Sequence, residues 1–275
     1  MLDPAWQSPY APSATERHVN QHVARAFFLR RKIPHVIIVG VAALVLIAGV
    51  FVVPWLPAVG VAMVLLYAWD LHRSLVKFEK SGESLGTAML DHFTPSGTTK
   101  DRERLITVLD RLAATFGVDS VSAVVVADPG YNAALVPNGT GLSFIVTDAL
   151  MRDFELIELE GVVAHCLARH RLGLLNRESV AAVASINDNA RQVLAGPGNA
   201  YRADEVAAAA IRYPLGLAGA LHKCSRQVIP STSFFVSETY AKWRWIWFDI
   251  WSDRSERDLS DLDDVELRAR ALEEW

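Results

Sequence analysis

The sequence predicts an α+β domain preceded by a pair of transmembrane helices. Two uncharged apolar runs before residue 70 indicate the helices, because each is close to the length that crosses a bilayer. After residue 100, amphipathic helical segments and short β-branched segments are mixed without strict alternation, which favours an α+β arrangement. A chain of 275 residues has room for one sizeable domain with such attachments.

The first apolar run covers residues 36–53 and the second covers residues 55–69, and neither contains a charge. Pro54 and Pro57 lie where a helical hairpin would turn, because proline suits a helix start and disrupts a helix interior. More than thirty mostly polar residues precede the first run, which argues against a cleaved signal peptide. A buried hairpin of a soluble protein is the other alternative. The lipid bilayer is therefore the first expected partner.

Basic residues flank the two runs on both sides. They are Arg25, Arg30, Arg31 and Lys32 before the pair, and Arg73, Lys77 and Lys80 after it. Because such flanks favour the cytoplasmic side, we predict an integral membrane protein with two spans whose termini and soluble domain are cytoplasmic. The predicted organisation is a flexible N-terminal tail (residues 1–33), a transmembrane hairpin (residues 34–70) and a cytoplasmic domain (residues 71–275).

Charge and cysteine content narrow the classes of function. The formal net charge is -4, so no global basic field favours a nucleic acid as partner, and none is expected. The two cysteines, Cys166 and Cys224, are too few for a disulfide framework or a four-thiolate zinc site.

Within the domain, apolar residues at helical spacing predict a helix over residues 101–116, which Gly117 would end. Residues 121–127 and 143–147 predict strands, with turn clusters between them. Further helices are predicted over residues 156–171 and 203–212, and an acidic terminal helix with a solvated charged face over residues 258–274.

The order of these segments resembles the HtpX-like membrane zinc metallopeptidases, which are relatives of the CAAX prenyl protease. Two N-terminal spans precede a helix, a strand, the pair Asn132-Ala133, a second strand over residues 141–147, and a segment ending at His165, where the family has its zinc helix. The resemblance covers residues 34–225 and implies a gluzincin-like metallopeptidase domain after the hairpin.

The residues that the family needs for zinc are largely replaced. The family motif has two histidines at i and i+4, a glutamate beside the first as general base, and a third ligand from a later helix. Here only His165 remains of the motif: Cys166 stands at the base, Arg169 at the second ligand and Ala200 at the third. Asp204 matches the family aspartate that supports a zinc-ligating histidine.

These departures imply that the former site has neither catalytic residues nor metal ligands, and we expect no cofactor. The resemblance implies a catalytically inactive membrane-anchored homologue, a pseudoprotease that acts as a scaffold or regulatory subunit for a protein or membrane partner. The alternative is an active zinc-dependent membrane metalloendopeptidase with substitute ligands such as Cys166, His170 and Asp204, in which zinc would be the cofactor. A cysteine nucleophile at Cys166 with a histidine base is a further alternative.

The loss of zinc would leave Asp204 as a buried anion without its positive neighbour, which is costly. Arg169 lies one helical turn after His165. We therefore predict that Arg169, or His165 together with it, lies within hydrogen-bonding reach of Asp204, so that a guanidinium replaces the lost cation.

Two segments are candidates for binding a partner. In this fold class a peptide adds to the edge strand above the zinc helix, and the corresponding residues are Ser143, Phe144, Ile145, Val146 and Thr147. The second segment is rich in tryptophan and includes Trp243, Trp245, Trp247 and Trp251. Tryptophan is common at protein and membrane interfaces, but the segment could equally close the core.

Overall fold

Two long helices form an antiparallel pair at the N-terminal end of the chain. They are α1 (Ala14–Ala48) and α2 (Leu56–Lys80) in the computed structural model, which describes residues 10–49, 53–139, 141–211, 213–250 and 264–275. Gly60 of α2 lies against Ala43 of α1, and a β-carbon added to Gly60 would be 3.1 Å from the Ala43 carbonyl oxygen. Farther along the pair, the ring of Phe28 packs 5.2 Å from that of Phe78.

Both helices contain an apolar stretch that is long enough to cross a membrane. Only 6% of the α1 stretch and 11% of the stretch that begins with α2 is buried, whereas the core helix of a soluble protein would be mostly buried. Their exposed faces carry large apolar side chains, among them Ile38, Leu44, Leu65 and Leu66. The prediction of two helices with the length and composition of membrane spans is confirmed.

The predicted flexible tail over residues 1–33 is wrong for residues 14–33, which belong to α1. Ser13 caps this helix by accepting a hydrogen bond from the backbone N–H of Glu16 at 3.0 Å. The polar part of α1 packs on the domain, where the Asn20 side chain donates to the Leu172 carbonyl at 2.9 Å. The sequence looked disordered because prolines cluster just before this helix; residues 1–9 lie outside the described part of the chain.

The domain combines many helices with one small sheet. In chain order the elements are α3 (Leu85–His92), α4 (Thr99–Phe116), β1 (Val121–Val126), β2 (Ala133–Asn138), β3 (Gly141–Thr147), α5 (Asp148–Asp153), α6 (Leu156–Arg171), α7 (Leu175–Val183), α8 (Asp188–Ala195), α9 (Asn199–Ile211), α10 (Pro214–Arg226), α11 (Glu238–Trp243) and α12 (Val265–Glu273). Short 3-10 segments cover Ser81–Ser84, Phe234–Val236 and Arg244–Ile246. A mixed arrangement of helices and strands was predicted, and the described residues confirm it.

Helix α4 shows how local sequence sets the element boundaries. Thr98 and Asp101 form a capping box at its start, in which each side chain accepts a hydrogen bond from the other residue's backbone N–H. Gly117 ends the helix in the left-handed conformation at φ 66°, as the sequence predicted. Its apolar face packs on α6 and β1.

The sheet has the strand order β1-β3-β2. Strand β1 pairs with β3 in parallel and β2 pairs with β3 antiparallel, so Ile145 lies between Val124 and Ala134. The sequence did not predict β2, because Pro137-Asn138-Gly139 was read only as a turn. The structure extends β2 through Asn138 and places Gly139 in the turn at φ 59°.

Helix α6 is surrounded by other elements of the domain. Helices α4, α9 and α10 and strand β2 pack around it, and its residues from Gly161 to Arg169 are all buried. Gly161 allows a close approach of α10, since an added β-carbon would lie 2.7 Å from the Leu217 α-carbon. Every polar side chain in the middle of α6 must therefore find its partners inside the protein.

Candidate functional site

Helix α6 carries His165 and Arg169 four residues apart, which places them on one face of the helix. Both residues are buried, with 0% and 3% of their surface exposed. The spacing matches that of two zinc-ligating histidines, but a guanidinium occupies the second position.

His165 contacts Asp204, a contact that was expected from the sequence only together with Arg169. Its ring atom Nδ1 lies 2.6 Å from Oδ1 of Asp204, which α9 contributes one turn after Ala200. Phe248 packs edge-on against the histidine ring with 5.1 Å between the ring centroids. The carboxylate thus orients the ring from one side, as carboxylates commonly do for metal-ligating histidines.

Arg268 of α12 completes this cluster. Its Nε donates to Oδ2 of Asp204 at 2.6 Å, and a terminal nitrogen donates to Oδ1 at 3.0 Å. The other terminal nitrogen donates to the Phe248 carbonyl at 3.1 Å. Arg268 is 0% exposed, so this is a buried two-point ion pair with Asp204.

The protonation states follow from burial and from this pairing. Burial by itself would raise the pKa of Asp204, but the charge of Arg268 and the contact with His165 hold that pKa below its usual range. Burial lowers the pKa of His165 to about 4, against the opposing effect of Asp204. At neutral pH the cluster is therefore a carboxylate and a guanidinium with a neutral imidazole.

A neutral His165 must donate its Nδ1 proton to the ionised Asp204, which leaves Nε2 as an acceptor. This Nε2 atom is buried and has no hydrogen-bond partner among the residues that the structure describes. A terminal nitrogen of Arg268 lies 3.4 Å from Nδ1. Since Nδ1 already carries a proton, this last contact is an approach of two donors rather than a strong hydrogen bond.

Arg169 does not pair with Asp204, so the prediction that its guanidinium stands beside this carboxylate is wrong. Its partner is Glu178 of α7, with a terminal nitrogen 2.9 Å from Oε2. The guanidinium also donates to the Ile246 carbonyl at 2.8 Å and to the Trp247 carbonyl at 3.0 Å. A buried carboxylate and a row of free carbonyl groups at the end of a 3-10 segment satisfy all sides of this guanidinium.

The donor set around His165 does not fit zinc. Structural zinc takes four ligands and catalytic zinc takes three from the protein, but Arg169 and Ala200 supply no ligand, and Asp204 is engaged by Arg268. Burial raises the pKa of Cys166 to about 12, which keeps it as a thiol. Within the described residues, no group of three or more histidine, cysteine, aspartate or glutamate side chains could hold a metal ion.

Burial and geometry also argue against the two alternative chemistries, a zinc site with substitute ligands and a cysteine nucleophile. The substitute ligands Cys166, His170 and Asp204 are not brought together as a metal-binding group in the described chain. A nucleophilic Cys166 would need to form a thiolate, and its buried surroundings oppose that by raising the pKa.

The predicted peptide-binding strand is not an edge strand. The segment Ser143, Phe144, Ile145, Val146 and Thr147 lies in β3, whose two sides are occupied by β1 and β2. All five residues are fully buried. Because both rows of backbone hydrogen-bonding groups are used within the sheet, this strand cannot accept a peptide by strand addition.

The tryptophan-rich segment closes the core where the structure describes it. Trp245 and Trp247 are buried and Trp243 is half-buried. Trp247 packs edge-on against Phe93 and Phe235, at 5.8 and 5.0 Å between ring centroids. These three tryptophans therefore do not form an exposed interface, and Trp251 lies outside the described residues.

Comparison with known proteins adds no relative: no protein-family model matches the chain, and no curated protein is significantly similar to it. The resemblance drawn from the sequence order therefore rests on the residues themselves.

Sequence reasoning missed Arg268 and Glu178. Arg268 belongs to the segment that was read as an acidic helix with a solvated face, and Glu178 to a region without clear periodicity. One signal was present for Arg268: it lies three residues after Val265 and four before Leu272, so it shares the apolar face of a helix. A charge on an apolar face indicates a buried partner.

Proposed function

We propose that this chain is a catalytically inactive, membrane-anchored metallopeptidase homologue that acts as a scaffold or regulatory subunit for a protein or membrane partner. The observation that carries the proposal is the pairing of Arg268 with Asp204 beside His165. A permanent internal cation neutralises the carboxylate that would otherwise support a metal ligand.

The orientation of His165 supports descent from a metal site. Its Nδ1 is held by a carboxylate, and its Nε2 has no hydrogen-bond partner among the described residues, which is the arrangement of a histidine that offers Nε2 to a metal. The remaining ligand positions are Arg169 and Ala200, and Arg169 is held in place by Glu178. The fold around the former site is thus stabilised by ion pairs, and hydrolysis is not its function.

Membrane anchorage is part of the proposal. The apolar stretches of α1 and α2 have the length and exposure of lipid-facing spans. With basic residues such as Arg31 before the pair and Lys77 after it, both ends of the hairpin and the domain lie in the cytoplasm.

A hydrolysis assay tests the proposal. The full chain, purified in detergent, is incubated with a fluorescently labelled unfolded protein with added zinc and, in parallel, with a zinc chelator. We expect no release of fluorescent peptides above the blank in either condition. The matched control is His165→Ala, prepared identically, which reveals any contaminating protease.

Turnover that a chelator abolishes and that His165→Ala lacks would overturn the proposal. It would establish the alternative function, a zinc-dependent membrane metalloendopeptidase with substitute ligands.

A further inference from the structure

A groove lies between the polar half of α1 and helix α8. Its volume is about 840 Å³, and it is open to solvent along its length. Two parallel rows of α1 side chains form one wall, and α8 forms the other with Asn187, Ala190 and Val193. These three residues recur every third position and therefore share one face of α8.

The floor of the groove is apolar. Val19, Val23 and Phe27 follow one another at four-residue spacing along α1 and line it together. Val19 is 56% exposed and Val193 of the opposite wall is 64% exposed. Exposed apolar side chains on both sides of an open groove favour an apolar occupant.

The rim of the groove is basic. It contains Arg30 and Arg31 at the end nearest the apolar run, and His18 and His22 farther away. Among the described residues that line it there is no aspartate or glutamate. This local excess of positive charge contrasts with the net charge of -4 for the whole chain.

The basic surface continues beyond His18. A second depression of about 850 Å³ adjoins the groove there and is lined by Arg17 and Arg171. Burial lowers the pKa of nearby His170, and the charges of Arg17 and Arg171 lower it further. Positively charged side chains therefore continue from the groove into this second depression.

The distance of the groove from the bilayer indicates whether a lipid or a protein occupies it. At about 1.5 Å per residue, Val19 lies roughly 25 Å along α1 from Val36, where the uncharged run begins. The headgroup layer on each side of a bilayer is only about 5–8 Å thick. The end of the groove at Val19 therefore lies in the aqueous phase, too far from the bilayer for membrane lipids to reach it.

We propose that this groove binds an acidic amphipathic helix of a partner protein. The apolar side of such a helix covers Val19, Phe27 and Val193, and its carboxylates face the histidines and arginines of the rim. The length of α1 from His18 to Arg31 matches about 14 residues, or nearly four turns, of a bound helix. This inference rests on the proposed function and names where and how the partner binds.

The test uses the full chain in nanodiscs of zwitterionic phosphatidylcholine. The probe is a labelled synthetic helix of about 14 residues, with leucines along one face and glutamates elsewhere; a second peptide has lysine in place of every glutamate. Fluorescence anisotropy should show binding of the glutamate peptide at least about tenfold tighter than binding of the lysine peptide, and salt should weaken it.

Substitutions in the groove should weaken this binding about tenfold or more. They are Val193→Asp and the double change Arg30→Glu with Arg31→Glu. The matched controls lie elsewhere on the surface: Val228→Asp, at a residue that is 89% exposed, and Arg152→Glu with Arg270→Glu, at side chains that are 65% and 69% exposed. The controls should bind the glutamate peptide within about twofold of the unchanged chain.

Equal affinity for the two peptides would overturn the proposal, and so would binding that is insensitive to Val193→Asp. A lipid occupant would overturn it as well. Cys166 and Cys224 are buried, so a soluble maleimide reports on a Val193→Cys thiol. Labelling in phosphatidylcholine discs that disappears in discs rich in phosphatidylglycerol would assign the groove to anionic lipid.

The same preparation is assayed for chelator-sensitive hydrolysis. Chelator-sensitive hydrolysis would contradict the proposed function, regardless of how tightly the two peptides bind. If the preparation shows no hydrolysis and does not bind the glutamate peptide, only the proposal that the groove binds a helix is contradicted.

Discussion

Arg268 balances the charge of Asp204 inside the domain, and its removal is the simplest test at the scale of single residues. Arg268→Met leaves a carboxylate that is buried without its cation, so we expect the free energy of unfolding to fall by about 3–5 kcal/mol. The matched control is Arg270→Met on the same helix, at a side chain that is 69% exposed, which should cost at most about 0.5 kcal/mol. Denaturant unfolding of the full chain in mild detergent measures both.

A loss of stability for Arg268→Met no larger than that of the control would contradict the pairing. Combining Arg268→Met with Asp204→Asn should regain part of the loss, because a neutral amide is far less costly to bury than an unpaired carboxylate.

His165 makes the stability of the domain depend on pH. Burial lowers its pKa from the usual 6.5 to about 4, so between these values the unfolded chain binds a proton at this ring and the folded chain does not. Stability therefore falls as the pH drops from about 6.5 to about 4, by about 3 kcal/mol in total. Asp204 adds little in this window, because its ordinary pKa of 3.8 lies below the window and its pKa in the folded protein is lower still.

Denaturant midpoints at pH 7 and pH 4.5 test this expectation. His165→Gln should reduce the difference between the two midpoints, whereas the exposed His72→Gln should leave it unchanged. The charged groups that face His165 are Asp204, Arg268 and Arg169. An undiminished difference for His165→Gln would show that other groups cause the pH dependence.

The sequence predicted Arg169, alone or together with His165, at Asp204, and so it named the wrong guanidinium. The resemblance to the HtpX-like family suggested a histidine next to this aspartate. No motif or spacing joins Asp204 to Arg268, which is 64 residues later and meets it only because α12 packs beside α9 and α10. Pairings of this kind depend on tertiary packing, which local periodicity does not report.

At the scale of elements, Arg169 joins α6 to α7 and to the end of the 3-10 segment Arg244–Ile246. We predict strong coupling between Arg169 and Glu178, because both are buried and bonded to each other. A double-mutant cycle with Arg169→Met and Glu178→Gln should give a coupling energy of about 2 kcal/mol or more. The matched cycle of Arg169→Met with Asp204→Asn should give a coupling near zero.

Equal coupling in the two cycles would contradict the separation of the two ion pairs. It would instead support the expectation, drawn from the sequence, that the Arg169 guanidinium pairs with Asp204.

Strand prediction failed where turn residues lie inside a strand. Residues 121–127 were recognised by their β-branched content, whereas β2 ends in Pro137-Asn138 and looked like a loop. The expectation of a peptide-binding edge came from the resemblance to the HtpX-like family. In the structure β2, the strand that was not predicted, pairs with that side of β3.

At the scale of the whole molecule, the account requires the chain to be anchored in a bilayer. We expect the full chain to remain in the membrane pellet through carbonate and high-salt washes, because its two apolar stretches are long enough to cross a bilayer and are largely unburied. Protease added to inside-out vesicles should digest the domain, since both flanks of the hairpin are basic. Release by carbonate, or protection of the domain in such vesicles, would contradict the spans or their orientation.

Hydropathy predicted the hairpin, but it did not predict that α1 continues into the domain. Polar contacts fix this extension: Arg202 donates to Glu16 at 2.9 Å, and Asn20 donates to the Leu172 carbonyl. Such contacts join residues far apart in sequence, so composition alone indicated a flexible tail.

The zinc content of the purified chain decides whether the residues around His165 hold a metal. The chain is purified without chelators, equilibrated with zinc, dialysed and measured by inductively coupled plasma mass spectrometry. With guanidinium groups at Asp204 and at the second ligand position, the account predicts less than about 0.1 zinc per chain, because too few ligands remain for tight binding. About one tightly held zinc per chain would contradict it.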